Sequence, residues 1–273
     1  MQKRPYIVAS LIEKGGTGKT STSVHVSEAL AKLGHRVLII ELDPQQNATK
    51  WIAGEPAAKR TVYEVLVDPE SDMEDAIGPT VIENVDIISG ARTLGMPERF
   101  LSTDPQGNPR SMFHVLRQAL ERVPNRYDFV FLDCPPSVGV INTNAIIAAD
   151  RLLISMDPSQ LTYDGFAALA LTLQQLIKNR LIESLPALSV LFTVWNARLR
   201  IARKVKSLVD NVSAKPYHVF DTTIRNRVVM RDLPDEKMTA LMSTDDSAQE
   251  VAADYRAVAE ELLAVLKPQL ATV

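Results

Sequence analysis

The 273-residue sequence predicts an α/β protein with a doubly wound, mostly parallel sheet and helices on both faces. Three observations carry that expectation. Short apolar runs alternate along the chain with longer stretches of helical character, the pattern of repeated βα units. The apolar runs are continuous rather than alternating, so their strands must be covered on both sides. The composition, 46% hydrophobic and 23% charged, is that of a soluble globular chain, long enough to bury a large core without staples.

The elements follow in order. Tyr6 to Ile12 (YIVASLI) is the first strand, followed by a Gly-rich turn. A helix is expected from about Lys19 to Leu33, with Gly34 as its left-handed stop. Val37–Leu42, Val85–Ile88, Phe129–Leu132, Leu152–Met156 and Leu188–Val194 complete six expected strands. Further helices are expected at Met112–Arg122, Asn142–Ala149, Tyr163–Leu181, Ile201–Asn211 and Ala248–Leu266. Leu101–Arg110 (LSTDPQGNPR) reads as a polar loop rather than a boundary. No linker or repeat divides the chain, and residues 1–273 read as one domain.

Composition narrows the function classes. The single cysteine, Cys134, excludes an internal disulfide or a Cys-rich metal centre from one chain and fits a reducing cytosol. Its place at an apolar strand end makes it an inert structural residue. His25, His35, His114 and His218 show no metal-ligand spacing. The first apolar run is broken by Glu13 and Lys14, too early for a signal peptide, and no later run approaches about 18 residues. A net charge of −3 leaves nucleic-acid affinity to local patches.

The informative segment is Glu13-Lys14-Gly15-Gly16-Thr17-Gly18-Lys19-Thr20, between the first strand and the first helix. Closely spaced glycines let backbone N–H groups converge on phosphate oxygens, and the helix start adds a positive dipole. Lys19 is placed to reach β/γ-phosphates, and the Thr20 hydroxyl to ligate Mg²⁺. Glu13 stands where the strict phosphate-loop pattern has glycine, and a second lysine, Lys14, precedes the glycine pair.

Lys14–Thr20 (KGGTGKT) resembles the deviant Walker A motif of the ParA/MinD family of dimeric ATPases. Val37–Thr49 (VLIIELDPQQNAT) is similar to that family's Asp-x-Asp-Pro-Gln motif, and Phe129–Ser137 (FVFLDCPPS) to its Walker B strand. Asn142–Asp150 and Thr222–Pro234 match further family segments, so the resemblance runs from about residue 5 to residue 265. It is closer to the ParA branch, and it implies a P-loop NTPase fold, ATP and Mg²⁺ as cofactors, and ATP hydrolysis to ADP and phosphate.

The resemblance also implies roles. Lys14 corresponds to the signature lysine that crosses a dimer interface to the partner's phosphates, a cation supplied in trans. Asp43 corresponds to the carboxylate that positions the attacking water, and Asp133 to the Walker B acid that holds Mg²⁺ together with Thr20. Gly15, Gly16, Thr17, Gly18, Lys19, Thr20 and Ser21 surround the phosphates. Asn196, Arg225 and Arg227 fall in segments that border the adenine. Glu41 replaces the first Asp of the family pair, and Ile224-Arg225-Asn226-Arg227 replaces Ile-Pro-Arg-Asn.

Arg198, Arg200, Arg203, Lys204 and Lys206 form a basic cluster, and Arg225, Arg227 and Arg231 a second. Such clusters neutralise DNA phosphates without reading sequence, as the family's basic segments do. No helix-turn-helix extension precedes the phosphate loop, so operator-specific binding is not expected. The last helix carries six acids from Asp245 to Glu261 and ends near Pro268, unlike a basic membrane-targeting helix.

The expectation is therefore a cytoplasmic, nucleoid-associated partitioning ATPase. Its ATP-bound homodimer would hold DNA non-specifically and be released by a ParB-like or cargo-adaptor partner, without membrane binding. The alternatives are a MinD-like membrane-cycling positioning ATPase and a metabolic P-loop synthetase.

Overall fold

Continuous apolar runs become the middle of a sheet whose order is β3-β4-β2-β5-β1-β6-β7-β8. The strands are β1 (Tyr6–Leu11), β2 (Val37–Glu41), β3 (Ile77–Pro79), β4 (Val85–Ile88), β5 (Phe129–Asp133), β6 (Arg151–Met156), β7 (Ala187–Phe192) and β8 (His218–Val219). The computed structural model describes residues 4–54, 57–97, 101–103, 111–137, 139–210 and 217–270. Every neighbouring pair is parallel except β3 with β4.

Parallel neighbours require crossovers, and helices supply them on both faces. They are α1 (Lys19–Lys32), α2 (Asn47–Ile52), α3 (Val62–Val67), α4 (Val115–Leu120), α5 (Val140–Ala148), α6 (Gln160–Lys178), α7 (Arg200–Asp210) and α8 (Asp246–Leu270). The period of two along β1 feeds two separate cores. Val8 joins the layer made by α1, α2 and α8, whereas Ile7, Ala9 and Leu11 join the layer under α3 to α7.

All six expected strands are present, Val85–Ile88 with the expected bounds and the others with shifted ends. The run Leu188–Val194 overshoots, because Val194 sits at φ 51° and cannot continue a strand. β3 and β8 went unread because they have three and two residues and lie at the sheet's edges. The six-residue helices α2 and α3 are likewise too short to show a period. The expected helix Met112–Arg122 contracts to α4, and α6 begins earlier than Tyr163 because Ser159 caps it, accepting from the Thr162 N–H at 3.3 Å. Most of the Leu101–Arg110 loop lies outside the described residues.

Helix α8 packs along α1, burying Val251, Tyr255, Val258, Leu262 and Leu266. Its apolar face is therefore occupied by the core. No helix among the described residues is long and apolar enough to cross a membrane.

His25 is sealed into the same layer, stacked 4.6 Å from Tyr255 and edge-on to Trp51 at 5.3 Å. Its Nε2 accepts the Ala240 N–H at 3.0 Å, so Nδ1 bears the proton and donates to the Ser21 carbonyl at 2.7 Å. Burial lowers its pKa to about 4. The unfolded chain therefore takes up this proton first, and folding stability falls as pH drops from about 6.5 toward 4. We expect His25 to contribute about 3 kcal/mol of that decline. Urea unfolding from pH 7 to pH 4 should show a shallower decline in His25→Gln, and an identical slope in both proteins would refute this assignment.

Candidate functional site

In parallel α/β sheets ligands gather at the carboxyl ends of the strands. Here the ends of β1, β2 and β5 converge beneath the turn that leads into α1. Gly16 and Gly18 take φ values of 76° and 79°, where a side chain would be strained. A Cβ at Gly15 or Gly16 would meet nothing within 4 Å, so the loop's outer side is open. Gly18 precedes α1 and offers no side-chain cap, which leaves the first N–H groups of the helix for an incoming anion. Thr193 Oγ1 ties the loop to the end of β7 by donating to the Thr17 carbonyl at 2.6 Å. The Thr17 hydroxyl is buried without a hydrogen-bond partner among the described residues.

The lysines are held by local acceptors. Lys19 is buried, and its Nζ donates to the Lys14 carbonyl at 3.0 Å. Burial lowers its pKa, while Asp133 and Asp43 oppose the shift. Lys14 Nζ lies 2.7 Å from Asp157 Oδ2 and 3.0 Å from Ser159 Oγ, at the start of α6. Sequence reasoning missed both partners; the signal was the Asp157-Pro158-Ser159 run between a strand and a helix.

Asp133 ends β5 and is fully buried. It accepts from Thr20 Oγ1 at 2.9 Å and Ser23 Oγ at 3.2 Å, which brings together the two residues expected to share a metal. Its carboxyl is pushed up to about 7, first by burial and then by Glu41, its register neighbour on β2. A hydroxyl beside a buried carboxylate suits a hard divalent cation. Among the described residues no three His, Cys, Asp or Glu side chains gather at one point. Such an ion would draw its other ligands from phosphate and water, as Mg²⁺ commonly does.

Asp43 is buried just beyond β2, its Oδ1 accepting the Gln45 N–H at 2.9 Å. Glu41 accepts the N–H groups of Ala48 and Thr49 at 2.7 and 3.0 Å and that of Gly90 at 3.3 Å. Burial pushes its carboxyl up against these hydrogen bonds. The sequence offered no role for Glu41 because its donors lie in a helix too short to read. Ser21 is half-buried at the helix start, and Cys134 is buried with its thiol pKa pushed up, which fits an inert role.

Trp195, Asn196, Thr222, Arg225 and Arg227 line a cavity of about 690 Å³, within the range of small-molecule sites. Asn196 Oδ1 accepts the Arg198 N–H at 3.1 Å. Arg225 forms a two-pronged pair with Asp254 at 2.8 and 3.0 Å, and Arg227 Nε meets Glu250 at 2.9 Å. Acids of α8 thus already answer both charges. Arg198, Arg200, Arg203, Lys204 and Arg231 are exposed, whereas Lys206 Nζ folds over the Phe192 ring at 5.4 Å.

A glycine-rich loop between a buried parallel strand and a helix, with a lysine, a hydroxyl and a strand-end aspartate at one point, defines a P-loop nucleotide-binding protein. Residues 6–186 match a family model described as an AAA domain. The chain is 34% identical over 229 residues to the sporulation initiation inhibitor protein Soj of Bacillus subtilis, covering 84% of this chain and 87% of Soj. It is 30% identical over 232 residues to the chromosome partitioning protein ParA of Caulobacter vibrioides, covering 84% and 83%. It also superposes, at TM-score 0.74 and 25% identity over 96% of each chain, on a cobyrinic acid a,c-diamide synthase from Mycobacterium smegmatis solved with an ATP analogue and magnesium. The chain belongs to the ParA family.

The Asp133 environment has a measurable consequence. A carboxyl raised from 3.8 to about 7 holds its proton better when folded, so it destabilises the empty protein progressively as pH rises through that window. Asp133→Asn should therefore melt a few °C above the parent at pH 8 without ligand, and the gain should shrink toward pH 4. Scanning calorimetry at both pH values tests this; no gain at pH 8 would mean that the carboxylate is fully compensated.

Proposed function

We propose that this protein is an ATP-dependent DNA or cargo partitioning ATPase. The observation that supports it most is the convergence of Lys19, Thr20 and Asp133 beneath an open glycine loop. In this reading N–H groups of residues 15–19 cradle the phosphates, and Lys19 leaves the Lys14 carbonyl for their β/γ oxygens. Thr20 and Asp133 hold Mg²⁺, which neutralises charge on the transferring group. Asp43 orients the attacking water with its second oxygen, and Ser21 contacts phosphate at the start of α1. Trp195, Asn196, Arg225 and Arg227 form the base-side wall.

Lys14 acts across a homodimer interface. Its ion pair with Asp157 joins side chains that are 31% and 21% exposed. Partly solvated pairs of that kind are weak, so exchanging Asp157 for a partner's phosphate costs little. The ATP-bound dimer then holds nucleoid DNA non-specifically through Arg198, Arg200, Arg203, Lys204 and Arg231, with Lys206 at the edge of the patch. Arg225 and Arg227 contribute less, being paired. A ParB-like or cargo-adaptor protein stimulates hydrolysis and release in the cytoplasm. The burial of the apolar face of α8 favours this over a membrane cycle built on that helix.

Lys19→Ala should abolish ATP binding by titration calorimetry. Asp43→Ala should bind ATP with little change while hydrolysis falls by about 100-fold or more, accumulating dimer on size exclusion. Unchanged turnover in Asp43→Ala would remove Asp43 from the mechanism.

For DNA, Arg200→Glu with Arg203→Glu should weaken binding of the ATP-bound protein equally on two unrelated duplexes and leave ATP affinity intact. Each DNA phosphate that is no longer neutralised should lower the log–log salt slope by about 0.9. Fluorescence anisotropy at several salt concentrations reads both; a strong preference for one duplex would overturn the non-specific reading.

A further inference from the structure

The turn Asp43–Gln46 carries the carboxylate assigned to the attacking water; it is closed on itself by the Gln45 N–H to Asp43 Oδ1 and the Gln46 N–H to the Asp43 carbonyl, so its placement depends on what anchors the turn as a whole. Gln46 adopts φ 57°, a conformation unfavourable for a residue with a side chain, and α2 after it has no side-chain cap of its own. The missing cap comes from the strand before the turn. Glu41, wholly buried, accepts the N–H groups of Ala48 and Thr49 and the Thr49 hydroxyl, and reaches across to the Gly90 N–H. Gly90 closes the ring from the other side, its carbonyl accepting Gln46 Nε2 at 2.6 Å. A Cβ on Gly90 would lie 3.0 Å from both the Asp43 carbonyl and the Glu41 carboxylate, so the three are in tight contact.

We infer that Glu41 is a positioning residue for hydrolysis: by clamping the start of α2 and Gly90 together, its carboxylate holds the Asp43 turn in its reactive orientation. This rests on the proposed role of Asp43. The length of the side chain is part of the device. An aspartate here would draw the carboxylate back by one methylene from donors on two different elements. A glutamine would turn an NH₂ group toward N–H donors, leaving at least one buried donor unanswered. In either case the turn relaxes, and small misplacements of a catalytic group carry large rate costs.

The test is a kinetic cycle on the full-length protein with ATP and Mg²⁺, using Glu41→Gln, Asp43→Ala and the double variant. Glu41→Gln should lower kcat by about tenfold or more while ATP affinity stays within about twofold. In the double variant the Glu41 change should slow hydrolysis no further, because its effect passes through Asp43. A normal kcat in Glu41→Gln, or a double variant slower than Asp43→Ala by the full Glu41 factor, overturns the inference. Normal turnover in Asp43→Ala overturns the parent reading instead, a separate outcome. Should Glu41→Gln fail to fold, Thr49→Val removes only the hydroxyl between Glu41 and Gly90. It should show the same split, reduced kcat with retained affinity, and a normal kcat there overturns the inference equally.

Discussion

Two carboxylates end adjacent parallel strands in a dry interior, and much of the site is arranged around that fact. Glu41 on β2 and Asp133 on β5 are register neighbours, and neither is exposed. Burial pushes both carboxyls up, and Glu41 raises Asp133 further, so each must be met by donors. The two are met differently. Glu41 is answered within the protein by α2 and Gly90, and so becomes part of the scaffold. Among the described residues Asp133 is answered by two hydroxyls and by a buried lysine whose ammonium points to the Lys14 carbonyl.

The same division separates fixed from exchangeable contacts elsewhere. Thr193 to the Thr17 carbonyl and His25 to Ser21 and Ala240 are short and neutral; they set the loop against the end of β7 and α1 against the segment that precedes α8. Lys19 to Lys14 and Lys14 to Asp157 involve cations that satisfy themselves on nearby oxygens in the absence of phosphate. Neutral buried hydrogen bonds are costly to break, whereas the partly solvated Lys14 pair is weak. Scaffold and moving parts are thereby distinguished by chemistry, within one loop and one helix start.

Helix α8 ties the two ends of the candidate site together. Its apolar side completes the core against α1, the helix that begins with Lys19 and Thr20. Its acids, Asp254 and Glu250, hold Arg225 and Arg227 at the cavity lined by Trp195 and Asn196. One helix thus supports both the start of α1 and that cavity, and its acids pair two cations that remain partly exposed.

The sequence by itself determined the six central strands, the doubly wound class and the phosphate loop, because these depend on local pattern: continuous apolar runs, a helix stop at Gly34 and the Lys14–Thr20 spacing. It also marked Thr20 and Asp133, since a polar residue at the end of an apolar strand stands out. It did not determine β3, β8, α2 or α3, which are too short to show a period and exist because neighbouring strands and core residues hold them. Nor did it show Asp157 and Ser159 beside Lys14, the clamp of Glu41 on Thr49 and Gly90, or the pairing of Arg225 with Asp254. Those contacts join residues from 8 to 145 positions apart. Only the tertiary structure decided them, because hydrogen-bond partners and burial depend on which elements the sheet order makes neighbours, and that order is a property of the whole packed chain.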